Sequence, residues 1–217
     1  MNIFIRISFF FLFFSLFTAN AVFSNTYYSK VNGDWGTAGT WGTACGSGTG
    51  AVPTATDDVV ICGNTIRMDV MGGVCLSLTM NGGNLNWTQA RITTVGAGGL
   101  IMDPGSSITG TATGTLNVNG NFTTTAGVSA INIGENNFNI SGTATIVNGS
   151  TVNINNINGT KTFGNLIING TFNNGRLHKS DWYGGIWNNG ILGNKSINFA
   201  ETTLSKNVLN PPIGATY

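Results

Sequence analysis

Aliphatic residues alternate with Asn, Ser or Thr in short segments along much of the chain. These segments lie at residues 76–80, 116–118, 131–133, 138–140, 152–154 and 197–199. Successive side chains of a β-strand point to opposite faces, so the alternation places the aliphatic side chains on one face and the polar ones on the other. No segment has the periodicity of an amphipathic helix. The pattern therefore predicts an all-β protein built from many short strands.

Asn-Gly pairs separate these segments, at residues 81–82, 119–120, 148–149, 158–159 and 169–170. Both residue types accept positive φ at low cost, so each pair predicts a turn. Two architectures have short strands with frequent turns. One is an antiparallel sandwich or barrel, in which Asn-Gly would mark hairpins. The other is a parallel β-helix, in which each turn is a corner of a coil.

The spacing of the aliphatic residues favours the β-helix. Leu78, Leu100, Leu116 and Phe138 follow one another at intervals of 16 to 22 residues, which suit one coil per repeat. Outward Asn and Thr side chains can stack on their counterparts in neighbouring coils. A sandwich would more often carry Lys, Glu and Arg on its solvent face. We therefore predict a parallel β-solenoid.

The N-terminus predicts export. Arg6 precedes an apolar run at residues 7–17, and Ala19-Asn20-Ala21 supplies the small residues of a cleavage site. The run is shorter than the ~20 residues that span a bilayer, and no later segment is apolar enough to do so. We expect a signal peptide at residues 1–21 and a secreted or cell-surface protein with no transmembrane segment in its mature chain.

The region after the signal peptide differs from the rest. It holds Trp35, Trp41, all three cysteines and the Asp57-Asp58 pair. The open end of a solenoid needs a cap. We therefore predict a cap and first coils at residues 22–95, followed by degenerate solenoid repeats at residues 96–217.

This region also resembles a known family. The segments "DWGTAGTW", "AVPTATDDVVICGNTIRMDV" and "CLSLTMNGGNLNW" resemble the eight-glycine domain and the opening of large exported surface proteins of the Bacteroidetes. The resemblance implies a right-handed β-helix on a cell surface, in an adhesin-like protein, and it transfers no catalytic residues. Many such proteins end in a small sorting domain, whereas this sequence stops at "NPPIGATY". We therefore expect a fragment of a longer solenoid.

The composition limits the partners. Charged residues make up 8% of the chain, against about 25% in an average globular protein. The basic residues are scattered, whereas a nucleic-acid surface needs clustered Lys and Arg. This excludes a nucleic-acid partner.

Cys45, Cys62 and Cys75 leave several arrangements open. Export permits a disulfide, and the odd count leaves at least one thiol unpaired. A Cys45–Cys62 bridge, a Cys62–Cys75 bridge and three buried thiols are all compatible with the sequence. A metal site is disfavoured because no C-x-x-C pair is present and the one histidine, His178, is distant in sequence.

Two groups of residues are candidates for ligand binding. Asp57, Asp58 and Asp69 could form a Ca²⁺ site, or they could accept hydrogen bonds from local backbone N–H groups. The segment "RLHKSDWYGGIW" combines aromatic rings with polar donors, which suits contact with sugars or packing over apolar surface. Its candidate binding residues are His178, Asp181, Trp182, Tyr183 and Trp187.

These observations predict a non-enzymatic, adhesin-like surface scaffold without a cofactor, whose partners are glycans or cell-surface components. No nucleophile accompanies His178 and Asp181, so we predict no catalytic residues. The alternative is the N-terminal fragment of a carbohydrate-active β-helix enzyme.

Overall fold

The computed structural model describes residues 24–69, 73–110, 112, 114–134, 136–154, 161–173, 186–188 and 191–192. These residues form eighteen strands and one short 3₁₀ turn, Ala38–Thr40. The strands are β1 (Thr26–Ser29), β2 (Gly33–Asp34), β3 (Trp41–Gly42), β4 (Asp58–Cys62), β5 (Thr65–Arg67), β6 (Gly73–Asn81), β7 (Asn84–Trp87), β8 (Ile92–Met102), β9 (Ser107–Gly110), β10 (Thr115–Val118), β11 (Phe122–Thr124), β12 (Ile131–Ile133), β13 (Asn137–Ile146), β14 (Thr151–Ile154), β15 (Lys161–Ile168), β16 (Thr171–Asn173), β17 (Ile186–Asn188) and β18 (Ile191–Leu192).

The strands stack into two sheets that wind around one interior. The first sheet contains β1, β3, β4, β6, β8, β10, β11, β13, β15 and β17, and the second contains β2, β5, β7, β9, β12, β14, β16 and β18. All pairings among these strands are parallel except that of β1 with β3. Parallel neighbours that come from successive passes of the chain define a β-solenoid. The predicted fold class is confirmed, and the antiparallel sandwich is excluded.

Successive turns of the solenoid repeat at a constant interval along one column of the first sheet. In the first sheet, Leu78 pairs with Leu100, Leu100 with Phe122, Phe122 with Ala144 and Ala144 with Leu166, and the steps between these numbers are equal. These five residues form one buried column in the interior.

The series of aliphatic residues used in the sequence analysis mixes two columns, so that part of the prediction was wrong. Leu116 pairs with Thr93 and Phe138, whereas Leu100 lies in the other column. The shorter step from Leu100 to Leu116 therefore connects two places within one turn of the coil.

The first sheet bends, which divides its outer surface into two halves. In one turn the chain forms two separate strands, β10 before the bend and β11 after it. In other turns a single strand, such as β6 or β13, continues through the bend with a shift in register. Gly142 lies at the bend, where a Cβ atom would come within 2.6 Å of the carbonyl oxygen of Gly120 in the preceding turn. Real Cβ atoms do not approach so closely, so the bend requires glycine there. The shift in register thus separates two halves of the first sheet, and the second sheet forms another side of the solenoid.

The N-terminal end carries a cap formed by residues 35–57, between β2 and β4. Trp35 and Trp41 are buried in an edge-to-face pair with centroids 5.1 Å apart, and Trp41 Nε1 donates to the Trp35 carbonyl oxygen at 2.8 Å. A disulfide joins Cys45 in the cap to Cys62 at the end of β4. Of the cysteine arrangements left open by the sequence, this is the one that forms. The predicted division at residues 95 and 96 falls inside β8.

Cys75 stays a free thiol inside the solenoid. Burial, followed by the negative charges of Asp58 and Asp57, raises its pKa to about 12. We expect no reaction of the native protein with a maleimide at pH 8 and one modified cysteine after denaturation without reductant, measured by intact mass. Because an unfolded thiol ionises near pH 8.5, the contribution of Cys75 to stability is complete below that pH and is lost as the pH rises towards 12. Rapid labelling of the folded protein would contradict this placement.

Among the residues that the structure describes, no helix is both long and apolar enough to cross a membrane.

Candidate binding face

Most residues of the predicted aromatic site lie outside the described residues. This applies to His178, Asp181, Trp182 and Tyr183, and also to the predicted signal peptide at residues 1–21. Trp187 lies in β17, where its backbone is in register with Ile167 of β15. The backbone position of Trp187 therefore continues a register column that can be followed through the described strands.

The structure gives the three candidate calcium ligands separate partners. Asp57 accepts hydrogen bonds from Thr54 Oγ1 at 2.6 Å and from the Thr54 backbone N–H at 2.8 Å. Asp69 accepts the Gly36 backbone N–H at 3.0 Å. Asp58 accepts the Ser24 hydroxyl at 2.9 Å. Within the described residues, no three His, Cys, Asp or Glu side chains form a group that could hold a metal ion. The carboxylates therefore fasten loops at the N-terminal end.

The protonation of Asp57 fits this role. Burial alone would raise the pKa of its carboxyl group, but the hydrogen bonds from Thr54 and Asn25 outweigh that effect and hold the pKa below its ordinary value. The contribution of Asp57 to stability is therefore present above the ordinary carboxyl pKa near 4 and is lost as the pH falls through the lower folded pKa.

Hydrogen bonds between neighbouring turns join many of the outward polar side chains of the solenoid. On the first half of the first sheet, Asn139 Nδ2 donates to Asn117 Oδ1 at 2.9 Å, and Thr162 Oγ1 donates to Asn139 Oδ1 at 2.8 Å. On the second sheet, Asn153 Nδ2 donates to Asn132 Oδ1 at 3.1 Å. We call these rows of hydrogen-bonded Asn and Thr side chains the amide ladders. Many of their donors and acceptors are occupied by bonds within the solenoid.

The second half of the first sheet presents a different column, which we call the axial stripe. Its members are paired in consecutive turns, and after the first step they are equally spaced in the sequence. They are Val60, Thr79, Ile101, Thr123, Thr145 and Ile167. Ile101 is exposed and the other five are half-buried. The register position of Trp187 follows directly after Ile167.

The hydroxyl groups of the stripe are not used by the part of the protein that the structure describes. Thr79, Thr123 and Thr145 form no side-chain hydrogen bond with any other described residue. They differ in this from the amide ladders on the neighbouring face. Three threonines of one register column therefore have hydroxyl groups that make no hydrogen bond to the described residues.

The strands of the later turns carry almost no charge. From β6 to β18, the described strands contain a single charged residue, Lys161, which is buried and donates from Nζ to the Asn136 carbonyl oxygen at 2.8 Å.

Two carboxylates border the stripe. Asp58 accepts the hydroxyl of Ser77, and Asp103 accepts that of Thr125 at 2.7 Å. The stripe is thus uncharged, with weakly acidic margins.

The sequence analysis did not identify the axial stripe. A search for positions that recur once in every turn would have found Thr79, Ile101, Thr123, Thr145 and Ile167. The signal is weak because these residues vary between hydroxyl and aliphatic side chains and are not identical.

Comparison with protein-family models, with curated proteins and with solved structures gives no match for this chain.

Proposed function

We propose that this chain is an exported, non-enzymatic scaffold of the cell surface, which uses the outer faces of its solenoid for contact with glycans or other surface components. One observation carries the proposal: the described strands from β6 to β18 contain a single charged residue, Lys161, and its side chain is buried, so the outward positions of these strands bear no charge. A solvent-facing sheet of a soluble protein normally bears Lys and Glu, which oppose association between sheets and with other surfaces. A long surface without them suits adhesion.

Export and adhesion can be tested in the organism that encodes the chain. An epitope tag inserted at Val128, a fully exposed corner residue, should be detected by antibody on intact cells. A cytoplasmic marker should stain only after lysis. Deletion of the gene should reduce attachment of the cells to a glycan-coated surface. A tag accessible only in lysed cells would overturn the proposal. Release of reducing ends from a polysaccharide by the purified protein would instead support the alternative of a carbohydrate-active β-helix.

A further inference from the structure

We infer that the axial stripe binds a linear, uncharged polysaccharide whose chain lies along the solenoid axis. This inference rests on the proposed function, because it names the class of ligand and the residues for contact with a surface glycan. The residues of the stripe that contact the polysaccharide are Val60, Thr79, Ile101, Thr123, Thr145 and Ile167.

The first argument is periodicity. Neighbouring strands of a sheet are ~4.8 Å apart, so the stripe repeats at that distance along the axis and extends for ~24 Å from Val60 to Ile167. An extended β-linked polysaccharide advances by about one such spacing with every sugar. Successive sugars can therefore meet successive turns of the solenoid in equivalent positions.

The second argument is the chemistry of the side chains. Thr79, Thr123 and Thr145 provide hydroxyl groups that other described residues leave unbonded. Ile101, which is 43% exposed, provides an apolar contact on the same line. A sugar ring has hydroxyl groups around its edge and C–H groups on its faces, so both kinds of contact are needed. The amide ladders on the neighbouring face offer fewer free groups.

The third argument is charge. The stripe contains no ionisable residue, whereas Asp58 and Asp103 lie at its margins. A polyanion such as an alginate would be repelled by these carboxylates and would find no cation on the stripe. An uncharged polysaccharide meets neither obstacle, and its binding should change little with ionic strength because no ion pairs are screened.

The test compares binding of the secreted full chain to insoluble cellulose, xylan and mannan with binding to alginate, from low to high NaCl. We expect saturable binding to at least one of the uncharged β-linked polymers, insensitive to salt, and none to alginate. The double variant Thr123→Val, Thr145→Val removes two hydroxyls but keeps the β-branched shape. At about 1 kcal/mol for each hydrogen bond, it should bind ~10-fold or more weakly.

The matched control is Thr151→Val, Thr171→Val. These two threonines are also paired across adjacent turns, but on the second sheet. Removing their hydroxyl groups should leave polysaccharide binding unchanged. A further variant, Thr123→Lys, Thr145→Lys, should abolish binding through bulk and charge. Circular dichroism and thermal melts establish that each variant is folded.

Several outcomes would overturn the inference. They are preferential binding of alginate, equal losses in the stripe and control variants, absence of binding to all the uncharged polymers, and a concentration-dependent dimer that only the stripe variants dissociate. Surface display, tested separately with the tag at Val128, could still hold in each case. The failure of the ligand assignment would therefore be distinguishable from the failure of the proposed function.

Discussion

Replacing Phe138 by alanine should lower the free energy of unfolding by about 3–5 kcal/mol. Phe138 is fully buried and lies edge-to-face against Phe122 and Phe163, with ring centroids 5.3 and 6.1 Å apart. Removal of the ring would leave a cavity between three turns and break both aromatic contacts. Because each turn of a solenoid packs only on its neighbours, no distant contact can compensate. Denaturation in guanidinium chloride, followed by circular dichroism, measures the loss.

Phe138→Leu provides the control for this prediction. Leucine fills most of the same space, so the loss should be clearly smaller than that of Phe138→Ala. The difference between the two variants then reports the cavity. A loss below about 1 kcal/mol for Phe138→Ala, well under the usual cost of such a truncation, would mean that the interior of these turns is not packed as described.

Removing the disulfide by the double substitution Cys45→Ser, Cys62→Ser should cost about 2–4 kcal/mol. The bridge joins residues 17 positions apart in sequence, and its absence leaves the unfolded chain with more conformations. In the folded chain, the cap would lose its covalent attachment to β4. Amide exchange should become faster in β1 and β3, whereas β13 and β15, several turns away, should keep their protection.

Reduction of the wild-type protein serves as the control. It should produce the same loss of stability as the double substitution, and the two effects should not add. Thiol titration of the unreduced, denatured protein should find one thiol, that of Cys75. Three thiols, or an unchanged melting temperature after reduction, would contradict the disulfide.

The sequence predicted the stacked strands because alternation is a local property. Each short segment, such as residues 116–118, shows which side chains face the interior. The pairing of turns is not local. Leu100 and Leu116 both face the interior, yet they lie in different columns because β8 continues through the bend before the chain reaches Leu116. Aliphatic residues recur at every second position, so their spacing alone could not distinguish a full turn from part of one.

The cap was predicted from its composition, but its internal pairing was not. The antiparallel contact of β3 with β1 involves two residue pairs, Tyr28 with Gly42 and Ser29 with Trp41. Strands of two residues have too few positions to show alternation. The choice of Cys45 as the partner of Cys62 likewise depends on how the loop before Val52 folds back. The buried Lys161 could not be predicted either, because a lysine in a β-rich sequence normally indicates the solvent face.

The perpendicular arrangement of strands and axis determines how the solenoid responds to force. When the two ends of the chain are pulled apart along the axis, the ladder between the outermost turn and its neighbour bears the load one hydrogen bond after another. Such peeling needs less force than shearing a whole ladder at once. A chain of this kind therefore yields turn by turn, each release lengthening it by one coil, such as the stretch from Thr123 to Thr145. We therefore expect the protein to release an axial load in small steps, one turn at a time.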